Sequence, residues 1–232
     1  MYFAALKLQD MRLIFLLAIL YIGVNAYAQC GYYYMQNNKT ITMGSFDKSG
    51  KENGRFVYKV LDVSNSGGVV TSKIKSEAFD KKGKSIVAMQ GDMQCKNGVL
   101  MLDMKTLVTS SQMQQFKDAD VDGKISYLEY PGNIKVGQTL PDGKFDMDVT
   151  MQKGMRAKLS MEVTNRKVLD KERVTTKAGS WDAYKISYNA KMVITMGISI
   201  PVNVDMTEWF VPGFGVVKSS SKSGTQELLS IE

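Results

Sequence analysis

The run from Asp118 to Glu129, DADVDGKISYLE, puts oxygen donors at the spacing of a twelve-residue calcium loop. Asp118, Asp120 and Asp122 fill positions 1, 3 and 5, and Gly123 permits the sharp turn at 6. Lys124 offers its carbonyl at 7, Ser126 sits at 9, and Glu129 can chelate through both oxygens at 12. The residues after the loop argue against the motif. Tyr130-Pro131-Gly132 comes at once, and proline and glycine stop the exiting helix such a loop needs. A metal-free reading uses the same residues: Asp122-Gly123 as a two-residue hairpin turn and Ile125 to Tyr130 as the strand leaving it. We expect the hairpin and no cofactor, with calcium at Asp118, Asp120, Asp122 and Glu129 as the alternative.

Other chemistry is narrowed by composition. The chain of 232 residues contains no histidine, so a Ser-His-Asp or Cys-His site, or a histidine-ligated zinc or iron, cannot be built within it. Asp146 and Asp148 share one strand face and are expected to point to solvent, not across a cleft as glycoside hydrolysis requires. Gly213-Phe214-Gly215 lacks the strand-to-helix setting of a phosphate loop and reads as a bend between strands. The expectation is a protein that is not an enzyme.

Methionine is abundant, with 16 in the chain. Met147, Met151, Met161, Met192, Met196 and Met206 fall on inward positions of alternating segments, where flexible thioethers either line an adaptable apolar site or fill an irregular core. The ligand reading places Met161, Tyr188, Met192 and Met206 in the wall of a cavity for an apolar small molecule, with Trp181, Trp209, Phe210 and Phe214 at its rim. The other reading is a structural or interaction module that meets an envelope protein.

These side chains need strands to hold them. Residues 145–152 alternate apolar and polar, and Ala157, Leu159, Met161 and Val163 resume the period after the turn at 152–155. Residues 184–196 and 198–206 alternate likewise around Gly197. Further strands are expected at 55–64, 69–79, 85–95 and 99–104, separated by NSGG, DKKGK and KNG turns. FDKSGK at Phe46 returns as FDKKGK at Phe79, as two similar hairpin turns would. Only Ser111 to Lys117 reads as helical. Together these segments predict a mainly β fold: a single antiparallel, strongly curved sheet or open barrel with one short helix.

The N-terminus carries an uncharged apolar run, Leu13 to Val24, after Arg12 and before Ala26-Tyr27-Ala28. It reads as a secretory signal peptide over residues 1–28, with Met11 as the start and one β-rich domain over 29–232. The run is too short for a membrane anchor. Export exposes Cys30 and Cys95 to oxidising conditions, so a disulfide between them is expected, with two thiols too far apart to bond as the alternative; lipid attachment at Cys30 is a further reading, disfavoured by Gln29 before it. The net charge of +7 is mild, with its lysines in solvated turns, which speaks against nucleic acid.

Several runs together resemble one family. CGYYY at Cys30, the FDKxGK pair, GQTLPDG at Gly137, TNRKV at Thr164, TTKAGSWDAYKISY at Thr175 and EWFVPGFGVVKS at Glu208 are similar to the TapB-like proteins. That resemblance implies an uncharacterised exported protein of the Gram-negative periplasm or cell envelope, β-rich and without established activity. It supplies no catalytic residues. The chain departs from the family at Ala183, where a cysteine is often found.

Overall fold

The computed structural model describes residues 30–107, 120–150 and 156–232. Their strands are β1 (Thr40–Phe46), β2 (Glu52–Ser66), β3 (Val69–Asp80), β4 (Ser85–Lys96), β5 (Val99–Asp103), β6 (Asp120–Asp122), β7 (Tyr127–Tyr130), β8 (Gly143–Thr150), β9 (Arg156–Thr176), β10 (Gly179–Met196), β11 (Ile198–Val211), β12 (Gly215–Ser221) and β13 (Gly224–Ile231). All join one sheet, in the order β6-β8-β9-β10-β11-β12-β13-β1-β2-β3-β4-β5-β7. Neighbouring strands pair antiparallel throughout. The described residues contain no α-helix, only 3-10 turns such as Tyr33–Met35 and Met104–Leu107. The helix expected at 111–117, the turn at 152–155 and the leader lie outside the described residues.

Period-two patterning decides which side chains turn inward. In β8, Phe145, Met147 and Val149 are buried while Lys144, Asp146, Asp148 and Thr150 face solvent. Each such apolar side chain taken fully out of water stabilises the sheet by about 1.5–3 kcal/mol. Asp146 accepts a bond from the Ser160 hydroxyl on the outer face. The two FDKxGK turns have one design: Asp47 Oδ1 accepts from the amides of Ser49 and Lys51, and Asp80 Oδ1 from those of Lys82 and Lys84.

The sheet curls nearly into a barrel, and its two edges are laced by the chain itself. After β5 the chain pairs as β6 with β8 at one edge, crosses through residues 123–126 to pair as β7 with β5 at the other, and returns to β8. Asp122-Gly123 is therefore not a hairpin turn, because β6 and β7 flank opposite sides of the seam. Ser126 spans it: its carbonyl accepts from Met104 N at 2.8 Å, and its hydroxyl donates to the Lys144 carbonyl. At the middle of the sheet, Thr40 and Glu232 exchange both backbone hydrogen bonds at 2.9 Å, which sets β13 beside β1.

The interior is filled by the chain's own residues. Cys30 and Cys95 are joined in a disulfide, with Cα atoms 5.8 Å apart, and the following Tyr32, Tyr33, Tyr34 and Met35 are all buried. Tyr32 donates to Gly98 O at 2.9 Å, the Tyr33 ring meets Phe214 at 5.0 Å, and Tyr34 meets Tyr58 at 5.6 Å. Aromatic rings combine a large buried area with a polar tip that finds a carbonyl, so this short segment plugs space that a wider barrel would leave for a ligand.

Candidate functional site

Two regions hold the residues that could act on something else. The first is an internal polar cluster. Arg166 is fully buried, which simple alternation from Leu159, Met161 and Val163 does not foresee. The cause is a bulge: Asn165 adopts φ 57°, and the pairing slips between Ser187–Lys167 and Asn189–Thr164. One extra residue in β9 turns Arg166 inward. Its Nη1 donates to the carbonyls of Glu129 and Pro141, each at 2.8 Å, and its guanidinium lies 4.6 Å from the Tyr130 ring centre. Among the described residues, Nε and Nη2 have no hydrogen-bond partner.

Glu208 faces the same interior from β11 and is 3% exposed. Tyr130 donates to its Oε2 at 3.1 Å, while Oε1 has no hydrogen-bond partner among the described residues. Burial pushes the Glu208 carboxyl up to about 7, against the opposing effects of the Arg166 charge and the hydroxyls of Tyr130 and Tyr188. Burial likewise raises both phenols. Glu208 was legible in principle, since the inward phase from Ile198 through Met206 lands on it, and a charged residue in that phase is the signal. Among the described residues, no group of three or more histidine, cysteine or acidic side chains could hold a metal. The cluster's hydrogen bonds join β9 and β11 to β7.

The second region is the far end of the β10–β11 hairpin. These strands pair without a bulge from Tyr184–Phe210 to Met196–Ile198 around Gly197, whose φ of 85° demands glycine at the tip. Even-numbered residues form the inner face throughout. Along β11 that face leaves the barrel by degrees: Phe210 and Glu208 are buried, Met206 and Val204 half-buried, Val202 38%, Ile200 56% and Ile198 73% exposed. Strand β12 pairs with β11 only as far as Met206–Ser221, so among the described residues nothing pairs with 198–205 on that side.

The residues expected to wall a cavity divide between these regions. Met161 and Met192 are paired partners and buried, Tyr188 and Met206 are paired and half-buried, and Tyr188 flanks Glu208. None of the four lines the open groove beside Asn203 and Lys222 or the small depression between Tyr58 and Met89. The expected aromatic rim is also dispersed. Phe210 stacks in the core on Tyr130 at 4.9 Å. Trp181 and Phe214 pack together at 5.2 Å, and Trp209 donates to Glu172 at 2.6 Å between two lysines, Lys185 and Lys218.

Of the calcium-loop positions, Asp118 lies outside the described residues. The backbone of Asp120 and Asp122 pairs with Thr150 and Asp148, whereas Glu129 sits on β7 opposite Met101. Positions 3 and 5 are thus extended strand on one sheet edge and position 12 on the other.

A nearly closed antiparallel sheet, plugged from within by its own N-terminal aromatic segment, is the class this geometry defines. Residues 36–232 match the DUF3108-like family, and the chain belongs to that family. Two crystal structures are similar in fold. One is of a protein assigned as exported, with a YmcC-like fold, from Bacteroides fragilis NCTC 9343: 21% identical, TM-score 0.67, covering 85% of this chain and 96% of that one. The other is of a protein assigned as a lipoprotein from Parabacteroides distasonis ATCC 8503: 16% identical, TM-score 0.71, covering 88% and 99%. No curated protein matches the chain.

Proposed function

We propose that this is a non-enzymatic exported protein of the bacterial envelope that holds an apolar partner on the open inner face of its β10–β11 hairpin, outside the closed part of the barrel. The graded emergence of Met206, Val204, Val202, Ile200 and Ile198 into solvent carries the reading. An apolar strip continuous with a core is costly to leave in water and marks a place of association. The methionines keep a role in it: Met192 and Ile194 lie opposite Val202 and Ile200 on the same face, giving the strip a soft, adaptable base.

Export is supported by the apolar run Leu13 to Val24 with its small-residue site, and by the descriptions of the two fold relatives. Among the described residues no helix is long and apolar enough to cross a membrane. The runs TTKAGSWDAYKISY and EWFVPGFGVVKS support the narrower assignment to TapB-like proteins within this reading. Binding of a fluorescent fatty acid tests the proposal. Micromolar binding, lost in Ile200→Glu with the melting temperature unchanged, is the expected result; a folded wild-type protein that binds no apolar probe overturns it.

A further inference from the structure

The hairpin strip has a polar neighbour. An open groove of about 730 Å³ runs beside the free edge of β11, lined by Asn203, Val204 and Asp205, by the β1–β2 turn residues Asp47, Lys48 and Ser49, and by Lys222 and Ser223. It begins where β12 stops, one residue from Val202. Two lysines and two aspartates make its wall balanced in charge. Asp47 holds its turn through Oδ1, which accepts from the Ser49 amide and hydroxyl and from the Lys51 amide. Asp205 accepts from Asn189 at 2.8 Å and faces Lys222 at 3.6 Å, both side chains being largely exposed.

Other occupants fit less well. Strand addition to the free edge meets Pro201, opposite Val193, because proline has no N–H to give and interrupts the ladder. Self-association would rest on the four exposed side chains Met196, Ile198, Ile200 and Val202, far fewer than the roughly 20–30 residues a side of a stable interface. The strip from Ile198 to Val204 spans about 20 Å at strand rise, the reach of one long acyl chain.

We propose that the occupant is a zwitterionic phospholipid, its acyl chain along Ile198, Ile200 and Val202, its phosphate between Lys48 and Lys222, and its ammonium toward Asp47 and Asp205. This rests on the docking reading above and adds the head group. An anionic amphiphile would satisfy the lysines and repel the aspartates; an uncharged one would use neither.

Three lauroyl amphiphiles below their micelle concentrations decide it: lysophosphatidylethanolamine, lysophosphatidic acid and monoacylglycerol, titrated while amide shifts are followed by NMR. The zwitterion should bind about tenfold more tightly than the other two, a difference of about 1.4 kcal/mol, with shifts at 47–49, 198–205 and 222–223. The double variant Lys48→Gln, Lys222→Gln should bring the zwitterion down to the monoacylglycerol level and leave the latter unchanged, and Ile200→Glu should abolish all three. Equal affinity for all three, or shifts away from the groove, overturns the head-group assignment while the docking reading stands. No binding by any overturns both. A concentration-dependent dimer through 198–205 overturns the lipid as occupant.

Discussion

Tyr130 on β7 and Glu208 on β11 meet across the inside of the barrel, the phenol donating to the carboxylate over 3.1 Å. That bond joins an edge strand to a strand many places away in the sheet order, with Arg166 beside it.

Glu208 should make stability depend on pH. Its carboxyl is raised from 4.5 to about 7 by burial, so the folded state holds a proton that the unfolded chain releases. The stabilisation is complete below pH 4.5, declines as pH rises, and is gone above about 7, amounting to about 3 kcal/mol. Glu208→Gln keeps an acceptor for Tyr130 and removes the ionisation. Urea midpoints of the variant minus those of wild type should rise between pH 4.5 and 7 and then level off; a flat difference would show that Glu208 titrates normally.

Arg166 holds carbonyls of Glu129 and Pro141 with one nitrogen. Arg166→Met should cost about 2–6 kcal/mol, since it leaves the two carbonyls without their donor at roughly 1–3 kcal/mol each. Adding Glu208→Leu should recover part of that loss, and strict additivity in this double-mutant cycle would show the two side chains to be uncoupled.

Reducing the Cys30–Cys95 bond, which closes a separation of 65 residues, should cost about 4 kcal/mol. The loss should centre on the plug: near-ultraviolet dichroism of Tyr32, Tyr33 and Tyr34 should fall before the far-ultraviolet β signal does. Simultaneous loss of both signals would mean the plug and sheet unfold as one.

Calcium should leave the melting temperature unchanged relative to chelator. A site filled at 100 times its Kd would add about 2.7 kcal/mol, a rise of several degrees. Such a rise, removed by Glu129→Gln, would restore the twelve-residue loop reading.

The strands from residue 143 to 206 were legible because each has one wet face, as Phe145 to Thr150 shows. Strand β9 runs on to Thr176, beyond where alternation fades, because bulges shift its phase at Asn165 and again opposite Lys185–Ile186. The same phase shift hid Arg166. The short edge strand β6 and the crossing at 123–126 were illegible for another reason: a turn signal such as Asp122-Gly123 reports local backbone preference and says nothing of which distant strand each arm will join. The plug was visible only as CGYYY, since aromatic residues read alike in a strand, a core or a surface.

The lacing of the seam limits how the barrel can deform. With only residues 123–126 between Asp122 and Tyr127, the tether that ties the two edges together reaches at most roughly 18 Å when fully extended. The wall can flex like a sprung clip and cannot be unrolled into a flat sheet while the chain is intact. The seam therefore stays shut along its length, and the exposed apolar side chains Ile198, Ile200 and Val202 stand on the β10–β11 hairpin, several strands away from it.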